Sequence, residues 1–273
     1  MRDNERNSGF SPVTFILLRS LSSSGIQSKV DLGEHQGKLA IRKRCGFGLS
    51  LDELQTLLDA QLVYRQGLSK AGLIIPENLS SRVTGGEPYF LENIDCWIEG
   101  DNLDEIIKSP TSSPEKRAWA WNTIIETIID IQDYAGSPCS RVLIDAKPAN
   151  FIFSVKDNQA YYVDFFPPLL RGEDGLVSPY FEVVFKRSRE LMTFNYGDTR
   201  GQITKLLALA KLEYSDYYNY LLGLTMEGIK GRIPSTLENY IISQARESFP
   251  HMSLFYSQPP EFTLTVIRAL ATT

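Results

Sequence analysis

Four polar residues between positions 142 and 166 have the types and spacing that phosphoryl transfer requires. Asp145 is followed two residues later by Lys147 and five residues later by Asn150, and Asp164 comes fourteen residues after that asparagine. In a phosphoryl-transfer site Asp145 would accept or orient the acceptor hydroxyl, and Lys147 would steady the transferring phosphate. Asn150 and Asp164 would hold Mg²⁺, which prefers hard oxygen ligands.

Two short strands are predicted to position the two metal ligands. Asn150 directly precedes the apolar run F-I-F, and Asp164 follows the apolar run from Ala160 to Val163. Residues 156–158, K-D-N, have the composition of a tight turn. The pattern therefore predicts a β-hairpin with one metal ligand at each end. The alternative interpretation is an ordinary loop between two strands.

This segment resembles the catalytic loop and metal-binding motif of the protein-kinase superfamily, and the wider chain resembles most its aminoglycoside-phosphotransferase-like branch. The resemblance covers about residues 22–200, and only the catalytic segment is specific. It implies an α+β, bilobal kinase-like fold, with a small β-rich nucleotide-binding lobe over residues 1–95. A larger, mostly α-helical catalytic and acceptor-binding lobe would span residues 96–273, and residues 1–9 would be disordered. The implied activity is transfer of the γ-phosphate of ATP to a hydroxyl, with ATP and Mg²⁺ as cofactors.

The catalytic segment departs from the superfamily at two places. The usual His two residues before the catalytic Asp is Leu143 here, and the usual D-F-G or D-W-E is Asp164-Phe165-Phe166. Neither change removes a group that touches phosphate. The lost His leaves open a kinase of weak activity, or a pseudokinase that binds nucleotide or a partner protein.

A loop and a strand near the amino terminus are the predicted phosphate-binding elements. The run S-S-S-G-I-Q-S resembles the family's phosphate-covering loop, so Ser24, Gly25 and Ser28 would face the β- and γ-phosphates. A solvated turn is the alternative. In the strand L-A-I-R-K-R, Arg42 shares a face with Ala40 and stands where the superfamily has its phosphate-gripping Lys. Lys43, on the opposite face, is the competing residue, and a basic edge strand is the structural alternative.

A long helix and a hinge complete the predicted nucleotide site. Ser50 and Glu53 form a capping box that begins a helix reaching Gly72. The resemblance places Gln61 on this helix where the family has a Glu, and a Gln can hydrogen-bond to Arg42 but cannot form the ion pair. Backbone groups around Cys96 and Ile98 would bind adenine.

Other elements are predicted from periodicity and end signals. We expect a helix from Ser11 to Leu21, strands over Leu73–Ile75 and Pro88–Asp95, and a core helix from Ser113 to Tyr134. A final helix is expected from Pro259 to Ala271. Asp198, ahead of the helical run that starts at Gln202, resembles a family Asp that steadies the catalytic loop. It is equally well explained as a charge favoured by the helix dipole.

Composition limits the classes of partner. A net charge of −5 and a pI near 5.3 give no support for nucleic-acid or membrane partners. Three widely spaced cysteines and the absence of a signal peptide predict reduced thiols and a cytoplasmic location. Two histidines nearly exclude a His-based metal site.

The acceptor is left open between two kinds of hydroxyl. Lys147 is more typical of kinases that phosphorylate Ser/Thr, which favours a peptide or protein acceptor. Glu173 and Asp174 follow the metal site, where antibiotic kinases use carboxylates to bind cationic small molecules. The pseudokinase interpretation, with a protein partner, is favoured by Leu143, Gln61 and Arg42.

Overall fold

The computed structural model describes residues 15–21, 29–45, 48–135, 141–165, 168–178 and 188–247. The chain divides into two compact units, the first made of residues 1–58 and 76–97 and the second of residues 59–75 and 98–273. Several predictions lie outside the described residues: Ser24, Gly25 and Ser28 of the predicted phosphate loop, the terminal residues 1–9, and the helix Pro259–Ala271.

The first unit contains a five-stranded antiparallel sheet with the order β1-β2-β3-β5-β4. Its strands are β1 (Ile16–Leu21), β2 (Lys29–His35), β3 (Lys38–Cys45), β4 (Asn78–Thr84) and β5 (Phe90–Cys96). A two-residue turn joins β2 to β3, and both of its residues have positive φ, 54° at Gln36 and 72° at Gly37. Two positive φ values match the right-handed twist of the flanking strands, so this turn fixes the register of the hairpin.

Two predictions about secondary structure in this region are wrong. Residues 16–21 form strand β1 and not a helix, because their backbone pairs with β2, with Leu21 opposite Val30. A short apolar run cannot be assigned to helix or strand from periodicity alone, and the partner strand decides. Residues 73–75 are not a strand either: the Ile74 carbonyl accepts a hydrogen bond from Tyr162 N at 2.9 Å, and the strand begins at Asn78.

The second unit is mainly helical. Helix α1 (Leu51–Lys70) begins in the first unit and ends in the second. The other helices of the second unit are α2 (Leu103–Lys108), α3 (Pro114–Ala135), α4 (Arg189–Gly197), α5 (Thr199–Glu213), α6 (Tyr218–Ile229) and α7 (Ser235–Arg246). Helix α3 supplies the centre of the core, as predicted. Trp121 is fully buried, and its Nε1 donates to Thr225 Oγ1 on α6 at 2.9 Å. The predicted capping box of α1 is present, with Ser50 N donating to Glu53 Oε2 at 2.8 Å.

A three-stranded sheet, in the order β6-β7-β8, lies in the same unit and carries the candidate catalytic segment. Its strands are β6 (Asp101–Asn102), β7 (Phe151–Ser154) and β8 (Gln159–Tyr162). An antiparallel sheet followed by a helical region confirms the predicted α+β class. Within the described ranges, the helices are all too short or too polar to cross a bilayer.

Candidate active site

The hairpin of β7 and β8 brings Asn150 and Asp164 together. Strand β7 follows a 3-10 turn over Pro148–Asn150, and Phe151 pairs with Tyr162 at the open end of the hairpin. Asn150 O accepts from Val163 N at 2.9 Å, so the residue that precedes Asp164 is fixed beside the end of the 3-10 turn. The hairpin predicted from the sequence is confirmed, and its two ends meet as expected.

The Asn150 side chain links the backbone of Asp145 to the Asp164 carboxylate. Its Nδ2 donates to the backbone carbonyl of Asp145 at 2.8 Å and to Asp164 Oδ2 at 3.2 Å. Asn150 is buried, which restricts the side chain to this orientation. Because the amide nitrogen makes both of these bonds, the amide oxygen Oδ1 is the atom that can serve as a cation ligand.

The Asp145 carboxylate lies between two ammonium groups. Lys205 Nζ, on α5, donates to Oδ1 at 2.7 Å, and Lys147 Nζ lies 3.0 Å from Oδ2. Burial acts to raise the pKa of Asp145, but the charges of Lys205 and Lys147 outweigh it and lower the pKa to about 2. The carboxylate is therefore ionised at every pH at which the protein would normally work.

Two hydrogen bonds hold the backbone of Leu143, the position at which the resemblance would place a His. Tyr64 Oη on α1 donates to Leu143 O at 2.7 Å, and Leu143 N donates to Leu169 O at 2.8 Å. The Leu143 side chain is fully buried in the core. Burial raises the pKa of Tyr64 well above its ordinary value, which keeps its hydroxyl proton available as a donor. The Leu143 side chain thus packs in the core, and the Tyr64 hydroxyl holds its backbone carbonyl.

The residue after Asp164 is also anchored. The Phe165 ring packs edge-on to Tyr162, with the ring centroids 6.0 Å apart. The guanidinium of Arg65, on α1, lies 4.0 Å from the Phe165 ring centroid. Both contacts fix the backbone beside Asp164. Phe166, the next residue of the predicted motif, lies outside the described residues.

Asp198 is the N-cap of α5. Its Oδ1 accepts from Arg200 N at 2.8 Å, and its Oδ2 lies 2.8 Å from Arg200 Nη2. These contacts match the interpretation of Asp198 as a helix-start charge. Tyr196 O accepts hydrogen bonds from Ile144 N at 3.3 Å and from Gln202 Nε2 at 2.9 Å. This carbonyl therefore joins the backbone next to Asp145 to helix α5.

In the first unit, Arg42 pairs with a buried carboxylate that the sequence reasoning did not identify. Asp31 is opposite Arg42 in the register of β2 and β3, and the Arg42 Nη2–Asp31 Oδ2 distance is 2.8 Å. Arg44 Nη2 lies 3.1 Å from the same oxygen. Burial acts to raise the pKa of Asp31, but hydrogen bonds from Arg42 and Ser20 outweigh it and lower the pKa. Ala40 is fully buried on the face that carries Arg42, as the predicted strand phase requires.

The other predicted nucleotide residues lie on α1 and at the end of β5. Gln61 is buried, and its Oε1 has no hydrogen-bond partner among the described residues. Arg42 and Gln61 belong to different units, so the hydrogen bond between them stays a prediction. Cys96 N donates to Glu77 O at 2.9 Å, which takes this N–H away from adenine in this conformation. Ile98 belongs to the second unit, at the start of the segment 98–273, whereas Cys96 belongs to the first.

The donor set at the hairpin fits Mg²⁺. No group of three or more His, Cys, Asp or Glu side chains is clustered within the described part of the chain. The Asp164 carboxylate and the Asn150 amide oxygen offer hard oxygens only, and the two side chains are held together by the Asn150 Nδ2–Asp164 Oδ2 hydrogen bond of 3.2 Å. Mg²⁺ usually takes one or two carboxylates and completes its shell with substrate phosphates and water.

Lys205 and Tyr64 are two more residues, besides Asp31, that sequence reasoning missed. Lys205 is 60 residues from Asp145 in sequence, and Tyr64 is 79 residues from Leu143. Each is an isolated residue in a helix, with no local motif around it. The one available signal was the position of Lys205 directly before the apolar stretch L-L-A-L-A.

Comparison with known proteins gives little further information. No protein-family model matches the chain. No curated protein matches it either. One matching solved structure is that of the kinase PK-1 of the Cydia pomonella granulovirus, with 18% sequence identity and a TM-score of 0.40. The match covers 58% of this chain and 55% of the viral chain, so this chain spans about half the length of that kinase.

Proposed function

We propose that this protein is an ATP-dependent phosphotransferase that uses Mg²⁺ and transfers the γ-phosphate to a hydroxyl group. One observation carries the proposal. The buried Asn150 side chain bonds both to the Asp145 carbonyl and to the Asp164 carboxylate, and so joins a loop and a hairpin end into one site. Phosphoryl transfer needs a carboxylate for the acceptor and a separate carboxylate for the metal, held at fixed positions.

In this proposal Asp164 and Asn150 bind the metal, and Asp145 binds the acceptor hydroxyl. Asp164 and Asn150 would hold Mg²⁺, which supplies charge neutralisation at the phosphate oxygens when it is bound. The Asp145 carboxylate accepts the hydrogen bond of the incoming hydroxyl and aligns it with the phosphorus. With a pKa of about 2, Asp145 is a weak base at rest. A loose, metaphosphate-like transition state makes little demand on base strength, so orientation is its main contribution.

Lys147 is suited to the phosphate. Its side chain is 45% exposed, in contrast with 12% for the Asp145 side chain, so its ammonium can reach a ligand on the solvent side. Arg42, in the first unit, is the proposed grip on the α- and β-phosphates, together with Ser24, Gly25 and Ser28 of the small-residue loop. Adenine would bind backbone groups near Cys96 and Ile98.

The acceptor that we propose is a hydroxyl of a peptide or protein Ser/Thr, or of a neutral small molecule. The presence of Lys147 supports the peptide acceptor. The carboxylates considered for a cationic antibiotic acceptor have arginine partners: Asp174 Oδ2 lies 2.8 Å from Arg189 Nη2, and Glu173 Oε1 lies 3.7 Å from Arg141 Nη2. Their charges are thus partly neutralised within the chain, which favours an acceptor that is not cationic.

A pseudokinase that binds nucleotide or a partner protein is the second candidate. The observation that favours it is the pairing of each Asp145 oxygen with a lysine, because an acceptor hydroxyl needs one of those oxygens. Leu143 and Gln61 are also changes of the kind that such proteins carry. The two candidates share nucleotide binding and differ in turnover.

Thermal unfolding with nucleotide tests the metal and nucleotide sites. ATP with Mg²⁺, at about one hundred times its Kd, should raise the unfolding temperature by roughly 5–10 °C, and ATP with EDTA should raise it much less. Asp164→Ala should abolish the Mg²⁺-dependent part of this rise. Asp216→Ala, at an exposed position in the same unit, is the matched control and should keep it. An equal rise in Asp164→Ala and wild type would show that Asp164 is not a metal ligand.

A further inference from the structure

The partners of the Asp145 carboxylate differ in how firmly they are held. The Lys205 side chain is 13% exposed and lies 2.7 Å from Oδ1, whereas the Lys147 side chain is 45% exposed and lies 3.0 Å from Oδ2. A buried ammonium cannot easily leave its carboxylate, because both charges would then lose their compensation. An exposed ammonium can exchange partners at little cost. The two oxygens of Asp145 therefore have one permanent partner and one exchangeable partner.

The structure fixes Lys205 from several sides. Its ammonium lies 4.1 Å from the ring centroid of Tyr196, the last residue but one of α4. The carbonyl of Tyr196 accepts hydrogen bonds from the catalytic loop at Ile144 and from Gln202 on α5. Helix α5 starts at a capped end, with Asp198 bonded to Arg200 N. Lys205 thus projects from a helix that is connected to the loop through the carbonyl of Tyr196.

We propose that Lys205 is a positioning residue for the catalytic carboxylate. It holds Oδ1 permanently and so directs Oδ2 toward the acceptor, while Lys147 moves from Oδ2 to the phosphate when nucleotide binds. This inference rests on the proposed phosphotransferase function. It also explains how a loop with Leu143 at the usual His position keeps its carboxylate oriented: the orienting group comes from α5 and not from the loop itself.

Four variants test this role in ADP formation from ATP and Mg²⁺, with water as the acceptor. Lys205→Met keeps the unbranched chain without the charge and should lower kcat by at least about tenfold, with the KM for ATP unchanged within about twofold. Lys205→Arg keeps the charge and should recover at least roughly a third of wild-type turnover. Lys211→Met, at an exposed lysine on the same helix, is the matched control and should match wild type.

The fourth variant separates positioning from a structural role. Because Lys205 acts through Asp145, adding Lys205→Met to Asp145→Asn should change the residual turnover by less than about twofold. A further loss as large as the one seen in wild type would overturn the inference, and so would a Lys205→Met protein as active as wild type. Wild-type protein without any turnover would instead overturn the proposed function, and this inference with it.

Thermal unfolding keeps the test decisive if Lys205→Met is too unstable to assay. The Asp145→Asn change should then lower the unfolding temperature less in the Lys205→Met background than in the wild-type background, because the pair is already broken. An equal drop in the two backgrounds would show that the two residues do not act together, and would overturn the inference.

Discussion

Replacing Asp145 by Asn removes one charge and almost no volume, so its consequences can be worked out from the structure. The surroundings lower the pKa of Asp145 from 3.8 to about 2, and this lowering already includes the opposing effect of burial. A shift of this size corresponds to about 2 kcal/mol of preference for the charged form. Asn resembles the neutral form, so Asp145→Asn should lower the free energy of unfolding at pH 7 by about 2 kcal/mol.

The same change should separate ATP binding from turnover. The Asp145 carboxylate is bonded to two lysines, and only its backbone carbonyl is bonded to the Asn150 side chain. ATP affinity should therefore stay within about threefold of wild type. Turnover should fall by about 10² or more, the contribution expected of a positioned acid–base group, because only the transition state uses this carboxylate fully.

Three measurements on one preparation check this prediction: urea unfolding, ATP titration and ADP formation. Asp216→Asn, at an exposed carboxylate of the second unit, is the control and should match wild type in all three. If ATP affinity and turnover fell together by the same factor, Asp145 would act on nucleotide binding and not at the acceptor. Unchanged turnover would refute its role at the acceptor.

Three further predictions concern Arg42, the charge of Asp145 and the close approach of strand β1 to Gly33. Arg42→Ala should weaken ATP binding by roughly 1.5–3 kcal/mol, the range for charge-assisted hydrogen bonds, and Lys43→Ala by under about 0.5 kcal/mol; isothermal titration that ranks them in reverse would show the strand phase to be wrong. In metal-free protein, the stability that the Asp145 carboxylate supplies should be complete above pH 3.8 and be lost as the pH falls through about 2. Urea unfolding across this range should show this loss of stability in wild type and not in Asp145→Asn. Gly33→Ala should cost about 1–3 kcal/mol, because a Cβ there would lie 2.3 Å from Ile16 O, whereas Gly86→Ala has open space and should cost little; equal costs would contradict the pairing of β1 with β2.

The parts of the site that sequence could predict are those that depend on near neighbours. The hairpin that joins Asn150 to Asp164 is formed by two short apolar runs and a polar turn, and all three signals lie within fifteen residues. The capping box at Ser50 and the core helix α3 are likewise local patterns. Local propensity and the final fold agree at these positions, so the pattern alone is sufficient.

The parts that sequence could not predict depend on distant partners. Strand β1 is defined by its pairing with β2, and Lys205 on α5 bonds to Asp145 across 60 residues of sequence. Asp31 was missed for a different reason. The turn of this hairpin is at Gln36 and Gly37, and only the register that this turn sets places Asp31 opposite Arg42. A shift in the turn position changes every cross-strand pair.

The fate of the γ-phosphate shows most directly whether the protein is a phosphotransferase. ATP labelled at the γ-position is incubated with wild-type protein and Mg²⁺, and the formation of ADP is followed together with the label on water, on the protein itself or on added Ser/Thr peptides. We expect label transfer that EDTA stops and that Asp145→Asn lowers by about 10² or more while ATP remains bound. If ATP binds and raises the unfolding temperature but is never cleaved, in wild type as in Asp145→Asn, the protein is not a phosphotransferase, and a nucleotide-binding pseudokinase is favoured.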